Sequence, residues 1–452
     1  MNHASRMDRR AFLKRAALSG VAAATAPMIL PRQVLGVNGQ AGANERITIG
    51  LIGAGNQGTA LLNWFSQHCN VAAIADAYFP RAQEVAESVG APNAYQDYRA
   101  LLDQDDIDAV IIATPMHWHA LNSIHAAQAG KDIYCEKPLT LSIAEGRYVV
   151  DAVRKYNCVF QTGSQQRSGQ HEYVGLSHVR NGALGKIHKV IASNYRSPQE
   201  TGHPAEPIPD GLDWDRWCGP AAMPPYNFVI WDNRSDPSWS GIRLFSGGDM
   251  VDWGAHGLDM AQWGLGMDDS GPEAVWVEGD PFVPMISTPE HPGGRRGGPD
   301  SPKVYMKYPG DIVMEFDDAH VSGVRFIGEH GAIEVVRDAF RANPAELAEE
   351  LLEAPEATLY RGYEYAVETN HYQDWLHCIK ERRDPVAPVE AGHRTATVCH
   401  LGNIARWVSE ITGETGQELL WDAATEQFTN SPEANRFVNP ERRPGYELPE
   451  IL

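Results

Sequence analysis

Cysteine is scarce in this chain, and no two cysteines stand close together. The 452 residues include six cysteines, none of them in a C-x-x-C pair. This spacing argues against a zinc ribbon and gives no clear disulfide framework. We predict that most of these side chains are small, buried and apolar. They are Cys69, Cys135, Cys158, Cys218, Cys378 and Cys399.

Basic residues are also few. Lys and Arg number 38 against 59 Asp and Glu, which leaves a formal net charge of −21. A surface this acidic repels nucleic acid and anionic lipid, so we expect neither as a partner. No set of His, Cys, Asp and Glu has the spacing of a metal site, and we predict no bound metal.

Long apolar runs are missing too. The alanine-rich stretch Ala16–Leu30 is shorter than the roughly 20 strongly apolar residues of a membrane-spanning helix. It follows the twin-arginine sequence Asp8–Lys14, and Ala41–Ala43 suits a cleavage site. This N-terminus resembles a bacterial Tat export signal, although Asp8 stands where Ser or Thr is more usual. The resemblance implies that residues 1–45 are a signal and linker and that the protein is periplasmic, without membrane integration. A disordered basic tail is the alternative.

A glycine turn follows the first strand-like run. Ile47, Ile49, Leu51 and Ile52 make an apolar run rich in β-branched residues, and the G-x-G-x-x-G sequence comes directly after it. The first glycine allows a tight turn, the second lets a pyrophosphate approach the backbone, and the third lets a helix pack close to the strand. The sequence therefore predicts a dinucleotide site. Its cofactor-binding residues are Gly53, Gly55, Asn56, Gln57 and Gly58.

An acidic residue stands where a ribose would bind. The apolar run Val71–Ala75 ends in Asp76, about 20 residues after the glycine turn, a position typical of ribose 2′-OH recognition. Its charge would repel a 2′-phosphate, so the sequence favours NAD. Arg81 lies nearby and leaves NADP open.

Strand-like and helical segments alternate through residues 46–160. This alternation predicts an α/β domain with a parallel, doubly wound sheet. The strand Ile107–Ala113 runs out into Thr114 and Pro115, at the edge where such sheets bind ligands. His117 and His119 follow, and either could line a nicotinamide pocket or cap the next helix.

The glycine turn, Asp76, Thr114-Pro115 with His119, and Glu136-Lys137-Pro138 together resemble the Gfo/Idh/MocA oxidoreductases. The resemblance covers roughly residues 46–430. It implies that Glu136 belongs to the cofactor site, and that Lys137 binds substrate near the nicotinamide and tunes the acid/base group. A lysine at the carboxyl end of a strand would also stabilise a developing alkoxide.

A D-x-x-x-H sequence supplies the remaining catalytic candidates. Asp252 and His256 are one helical turn apart and share a face if the segment is helical. By the resemblance, His256 is the general base and Asp252 its partner; taken alone, this spacing is more typical of a solvated helix face. Asp259 falls on the same face and is a candidate substrate ligand.

Residues 161–430 are predicted to form a C-terminal α+β domain with a large, mostly antiparallel open sheet, because several segments alternate like half-buried strands. The family often uses this sheet to form dimers or tetramers, and residues 431–452 would be a tail. Near the domain crossing, Gln166 and Arg167 are candidates for binding sugar hydroxyls; an interdomain polar contact is the alternative.

The segment 196–245 is rich in aromatic residues and proline and has no clear periodicity. Long loops of this kind are usually functional, and aromatic faces pack well on sugar rings. We predict a carbohydrate-binding insertion; packing across a domain or subunit interface is the alternative.

Together these features predict an NAD(P)-dependent oxidoreductase acting on a sugar, cyclitol or glycoside. Export implies a tightly bound cofactor that is regenerated within the site, since little free nicotinamide cofactor exists outside the cytoplasm. Two other chemistries stay open, namely sugar–sugar oxidoreduction and NAD-dependent glycoside cleavage through a transient 3-keto sugar. A non-catalytic binding protein is a further alternative.

Overall fold

Six parallel strands form the N-terminal sheet, in the spatial order β3-β2-β1-β4-β5-β6. This is the strand order of a dinucleotide-binding doubly wound sheet, so the predicted fold class is confirmed for this part. The order reverses between β1 and β4, which opens a crevice at their carboxyl ends. The strands are β1 (Thr48–Ile52), β2 (Asn70–Ala75), β3 (Asn93–Tyr95), β4 (Ala109–Ile112), β5 (Asp132–Cys135) and β6 (Phe160–Thr162).

The computed structural model describes residues 46–232, 234–291, 301–318, 323–349 and 370–451. From Ile47 onward these residues pack as one compact unit. The predicted export signal, residues 1–45, lies outside the described residues. Within the described ranges, no helix has the length and apolar character needed to cross a membrane.

Helices cover both faces of the parallel sheet. α1 begins at Asn56, directly after the glycine turn, and buries Leu61, Leu62 and Phe65 against the strands. The start of α5 is fixed by Glu145, whose Oε2 accepts from the Leu141 amide (3.0 Å) and the Ser142 amide (3.2 Å). The helices are α1 (Asn56–His68), α2 (Phe79–Val89), α3 (Tyr98–Leu102), α4 (His119–Gln128) and α5 (Ile143–Lys155).

The second sheet has nine strands and is antiparallel except between β7 and β12, as predicted. One face is buried; along β11, Val304, Met306 and Tyr308 are fully buried while their neighbours are partly exposed. The strands are β7 (Ile187–Ser193), β9 (Ala274–Glu278), β11 (Lys303–Tyr308), β12 (Ile312–Asp317), β13 (Val324–Gly328), β14 (Gly331–Val336), β15 (Ala339–Asn343), β16 (Leu419–Asp422) and β17 (Gln427–Phe428); β8 (Glu200–Thr201) and β10 (Ile286–Ser287) pair separately.

The buried face of this sheet packs against helices from several parts of the chain. Among the described helices α14 is the longest, with 24 residues. The helices of this part are α6 (Gln170–Arg180), α7 (Trp214–Cys218), α8 (Phe228–Trp231), α9 (Ser238–Gly241), α10 (Gly248–Asp252), α11 (Gly254–Leu265), α12 (Glu346–Glu349), α13 (His371–Glu381), α14 (Val389–Thr412) and α15 (Pro432–Asn435).

The aromatic insertion, residues 196–245, has an apolar cluster of its own. Trp214 and Trp217 stack with ring centroids 4.7 Å apart, and Tyr226 and Phe245 pack around them. The cluster docks on the N-terminal sheet domain, where the Trp217 carbonyl accepts hydrogen bonds from the side chains of two residues just after β4. For these four aromatic side chains the structure favours the packing alternative over sugar binding.

Cys158 is half-buried, and the other five cysteines are buried. This confirms the prediction that most of them are small buried side chains.

A buried ion pair ties the turn after β6 to α11. The Arg167 guanidinium donates to both oxygens of Asp259 at 2.8–3.0 Å, and each of the two side chains is 2% exposed. Arg167 also binds Asp268, and the Thr395 hydroxyl donates to Asp259. Such a network leaves the buried charges compensated only while both partners are present.

Replacing Arg167 with methionine should lower the free energy of unfolding by about 3–5 kcal/mol, because the Asp259 carboxylate would lose its buried partner. The midpoint of urea unfolding measures this change. The exposed pair Lys307–Asp311 (3.2 Å) is the control, and Lys307→Ala should change the value by less than about 0.5 kcal/mol. Equal midpoints for the two variants would contradict a structural role for Arg167.

Candidate active site

A cavity of about 1200 Å³ lies at the carboxyl ends of β1, β2, β4 and β5. This is the crevice at which open α/β sheets bind ligands. Its wall combines the glycine turn with the Glu136-Lys137 segment, the loop after β4, the joint between α10 and α11, and part of the aromatic insertion. The predicted residues that line it are Gly53, Gly55, Asn56, Gln57, Asp76, Thr114, Pro115, His119, Glu136, Lys137, Gln166, Asp252 and His256.

The glycine turn leaves no room for side chains at two of its three glycines. Gly53 has φ +92°, and a Cβ there would lie 2.7 Å from the Ala113 backbone. A Cβ on Gly58 would lie 2.0 Å from the Gly53 carbonyl oxygen. At Gly55 the nearest atom to such a Cβ is Arg81 Nη1, at 3.9 Å, so the backbone is open on the cavity side. The tight turn at Gly53 and the close packing at Gly58 are thus as predicted, and the approach of a pyrophosphate at Gly55 stays a prediction.

Backbone amides hold the Asp76 carboxylate at the end of β2. Its Oδ2 accepts from the Ala54 amide and its Oδ1 from the Tyr78 amide, each at 2.8 Å. Each oxygen keeps a lone pair for a further donor. The carboxylate is therefore placed, as an acceptor, beside the first glycine of the turn, with Arg81 at 3.8 Å.

Glu136 connects the glycine turn to the lysine segment. Its Oε1 accepts from the side-chain amides of Gln57 (2.8 Å) and Gln165 (2.9 Å), and its Oε2 accepts from the Lys137 amide (3.2 Å). Burial raises the pKa of the Glu136 carboxyl group, while these donors oppose that shift. Glu136 positions the cavity wall rather than reaching far into the cavity.

Lys137 and Asp252 form the central ion pair of the cavity. Lys137 Nζ donates to Asp252 Oδ1 at 2.6 Å and to the Asp252 carbonyl at 3.1 Å, and each side chain is 19% exposed. The ammonium group follows β5 and the carboxylate ends α10. The pair is therefore accessible from the cavity while its geometry is fixed from both sides.

Asp252 and His256 do not share one continuous helix. α10 ends at Asp252 and α11 begins at Gly254, so the predicted helical face is broken at Trp253. The joint still brings both side chains to the cavity and turns the Trp253 indole, 40% exposed, toward it as well.

His256 is held in its neutral form. Burial lowers its pKa to about 3, and the charges of Lys137 and Arg337 add to this effect against the opposing charge of Asp252. A neutral imidazole at neutral pH has a lone pair with which to accept a proton.

The two histidines after β4 have different positions. The His119 ring nitrogens lie 2.6 Å from the Pro138 carbonyl and 2.8 Å from the Thr114 carbonyl, so the ring fixes two cavity segments to each other. His117 does not line the cavity; its ring is buried against Trp217 and Phe245 of the insertion. His117 was expected either to line the nicotinamide pocket or to cap the next helix, and in the structure it does neither.

Two predicted substrate ligands do not reach the cavity. Arg167 and Asp259 are buried, bind each other and are not part of the cavity lining, which corrects the prediction that they contact substrate. For Arg167, the polar-contact alternative is the observed one. Gln166 does line the cavity, and its buried Oε1 has no hydrogen-bond partner among the described residues.

Several cavity residues were not predicted. Gln165 follows Gly163 in the same polar run as Gln166, so the run itself was the available signal. Trp253 stands inside the D-x-x-x-H sequence. Arg337 comes from the turn between β14 and β15, and Arg234 from the insertion; no local pattern marks either as a site residue.

The cavity fits a nicotinamide dinucleotide. The glycine turn is open to a pyrophosphate where a Cβ would obstruct it, the N-terminus of the 13-residue α1 points at the same space, and Asp76 offers acceptors for ribose hydroxyls. Within the described residues, no group of three or more His, Cys, Asp or Glu side chains could hold a metal ion.

Comparison with known proteins agrees with this geometry. Residues 47–164 match the family model described as the NAD-binding Rossmann fold of the Gfo/Idh/MocA oxidoreductases, and residues 187–287 match that of its C-terminal alpha/beta domain. The chain is 29% identical to a levoglucosan dehydrogenase of Pseudarthrobacter phenanthrenivorans over 311 residues, which is 66% of this chain and 70% of that protein.

A second relative and a solved structure extend the comparison. A glycosyl hydrolase family 109 protein of Shewanella pealeana is 28% identical over 205 residues, 40% of this chain and 44% of that protein, so the match spans less than half of its length. A levoglucosan dehydrogenase solved in complex with NADH and levoglucosan superimposes with a TM-score of 0.54 at 22% identity, covering 80% of this chain and 97% of that one. This structural likeness shows the shared fold.

The first matched segment contains the parallel sheet, and the second contains strands of the large sheet. The glycine turn and Glu136-Lys137-Pro138 fall inside the first segment. The chain belongs to the Gfo/Idh/MocA family of oxidoreductases, and its N-terminal part is an NAD-binding Rossmann domain.

Proposed function

We propose that this protein is an NAD-dependent oxidoreductase that interconverts a ring hydroxyl and a ketone on a sugar, cyclitol or glycoside. The observation that carries the proposal is the Lys137–Asp252 ion pair at 2.6 Å, which shares one cavity with a neutral His256 and the glycine turn. When bound there, NAD supplies the hydride acceptor.

One side chain of the protein accepts the proton, and two others stabilise the charge that is left on the substrate oxygen. His256 accepts the hydroxyl proton through its free lone pair, since it is neutral at physiological pH. Lys137 places its positive charge where the alkoxide develops, and Asp252 holds that ammonium group in position. Because Lys137 and Asp252 already hold each other in position, little reorganisation is needed when charge appears on the substrate oxygen.

A ring-shaped polyol suits the substrate side of the cavity. The exposed Trp253 indole lies beside His256, with ring centroids 6.0 Å apart, and offers an apolar face to the C–H face of a sugar ring. The amide groups of Gln165 and Gln166 line the same space and can bind hydroxyls. The dehydrogenase relative is named for a substrate of this kind, levoglucosan.

We further propose that NAD is retained between turnovers and that the protein acts outside the cytoplasm, as the twin-arginine N-terminus indicates. Retained NAD fits two redox-neutral reactions, hydride exchange between two sugars and glycoside cleavage through a transient 3-keto sugar. The glycosyl hydrolase relative supports the second reaction. Turnover without net NADH would distinguish both from a simple dehydrogenase.

Replacing Lys137 with alanine should lower turnover at least about 100-fold, because the alkoxide would lose its compensating charge. Binding of NAD should persist. The matched control is Lys189→Ala, since Lys189 pairs with Glu315 on the large sheet and does not line the cavity. Steady-state rates with a panel of sugars, cyclitols and glycosides, together with NAD titrations, measure both effects. Unchanged rates in Lys137→Ala would overturn the catalytic assignment.

The pH profile should show no acid limb from His256 between about pH 5 and pH 8, because its pKa near 3 leaves the base unprotonated throughout that range. Arg337→Gln should move the acid limb to higher pH, since it removes one charge that lowers the pKa of His256. The same change at Arg341, which lies outside the cavity lining, should not. The profile of kcat/KM for oxidation measures this, and a wild-type limb near the ordinary histidine pKa would contradict it.

Protein purified from the exported fraction without added nucleotide should carry about one NAD per chain that survives dialysis, as measured by absorbance and mass spectrometry. An empty site that binds NAD reversibly would instead identify an ordinary dehydrogenase. It would also remove the argument for a redox-neutral reaction.

A further inference from the structure

The aromatic insertion is hydrogen-bonded to the chain that follows the ribose-binding acid. The Phe79 amide donates to the Gly211 carbonyl and the Asp213 amide donates to the Ala77 carbonyl, both at 3.1 Å. The Gln96 side chain also donates to the Gly211 carbonyl, at 3.0 Å. The insertion therefore lies along the same edge of the cavity as Asp76, where the adenosine half of a dinucleotide belongs.

Trp231 lines the cavity at this edge. Its indole packs edge-on against Tyr78, with ring centroids 5.4 Å apart, and the Arg81 guanidinium lies 5.1 Å from the indole centroid. Arg81 in turn faces the Asp76 carboxylate at 3.8 Å. The insertion thus contacts the residues that would surround the adenosine ribose.

Arg234 reaches the phosphate end of the same cavity. Its Nη2 donates to Asn56 Oδ1 at 3.4 Å, and Asn56 is the first residue of α1. The preceding residue, Gly55, has no side chain with which to cap this helix N-terminus, whose positive end faces the phosphate side of the cavity. Among the described residues no carboxylate lies within ion-pairing distance of the Arg234 guanidinium, which lines the cavity.

We propose that Arg234 is a ligand of the dinucleotide's pyrophosphate, and that the Trp231 indole covers the adenosine half so that it must move before NAD can leave. A guanidinium beside a helix N-terminus combines two cationic sources at one phosphate site, and such charge-assisted hydrogen bonds are about twice as strong as neutral ones. The retention of NAD proposed above then has a specific cause in the insertion.

The test measures the rate at which labelled NAD bound to the purified holoenzyme exchanges with unlabelled NAD in excess. Arg234→Gln should accelerate exchange by about tenfold or more, because one charge-assisted hydrogen bond to the pyrophosphate is lost. Arg234→Lys should recover part of the effect. Arg243→Gln is the matched control, since Arg243 lies in the same insertion but binds Glu200 and packs on Trp407 away from the cavity.

A second measurement separates phosphate binding from folding. The thermal stabilisation given by ADP-ribose should fall in Arg234→Gln, while the melting temperature of the ligand-free protein should match that of the wild type. A variant that melts like the wild type and holds NAD and ADP-ribose equally well would overturn the assignment of Arg234.

This inference rests on the proposed function, yet its failure is distinguishable. A wild type that retains NAD with an unaffected Arg234→Gln variant removes only the role of Arg234. A wild type that exchanges NAD rapidly, with still faster exchange in Arg234→Gln, removes the retained cofactor and supports Arg234 as a phosphate ligand. A wild type that binds no NAD removes both.

Discussion

The ion pair between Lys137 and Asp252 is the contact on which the site depends, because its two halves come from opposite parts of the fold. The lysine follows the end of β5, and the carboxylate closes the one-turn helix α10, 115 residues later in the chain. The pair holds its geometry only if the parallel sheet and the helices on the larger sheet are correctly packed against each other. The geometry of this ion pair and the packing of the two sheets are therefore one requirement.

The charges around this pair also set the protonation state of the neighbouring histidine. His256 sits beside the Lys137 ammonium group in a poorly hydrated position, and both conditions disfavour a second positive charge. Two carboxylates in this region are also buried, and each needs hydrogen-bond donors to compensate its charge. Three hydrogen-bond donors compensate the buried carboxylate of Glu136, and Arg167 and Thr395 compensate that of Asp259.

The sequence was informative where chemistry follows from local rules. The glycine turn and Asp76 could be predicted because each depends on a few neighbouring residues and on backbone geometry, and the parallel, doubly wound sheet because strands and helices alternate along the chain. Lys137 was found through the family resemblance, and its strand-end position agreed with that role.

Where the sequence misled, the deciding partner was distant along the chain. Arg167 and Asp259 are 92 residues apart, and no spacing rule shows that they neutralise each other rather than bind substrate. The helix break at Trp253 could not be read from D-x-x-x-H, since that spacing also fits an unbroken turn. Arg234 lies in an insertion without periodicity, so its place beside Asn56 depends entirely on tertiary packing.

The carbonyl of Trp217 accepts from both His117 Nε2 and Trp118 Nε1, so a single atom of the insertion is bound by two neighbouring side chains of the turn after β4. The same turn supplies Thr114, Pro115 and His119 to the wall of the cavity. A substitution that displaces Trp217 from its stack on Trp214 would therefore disturb the cavity wall as well as the insertion.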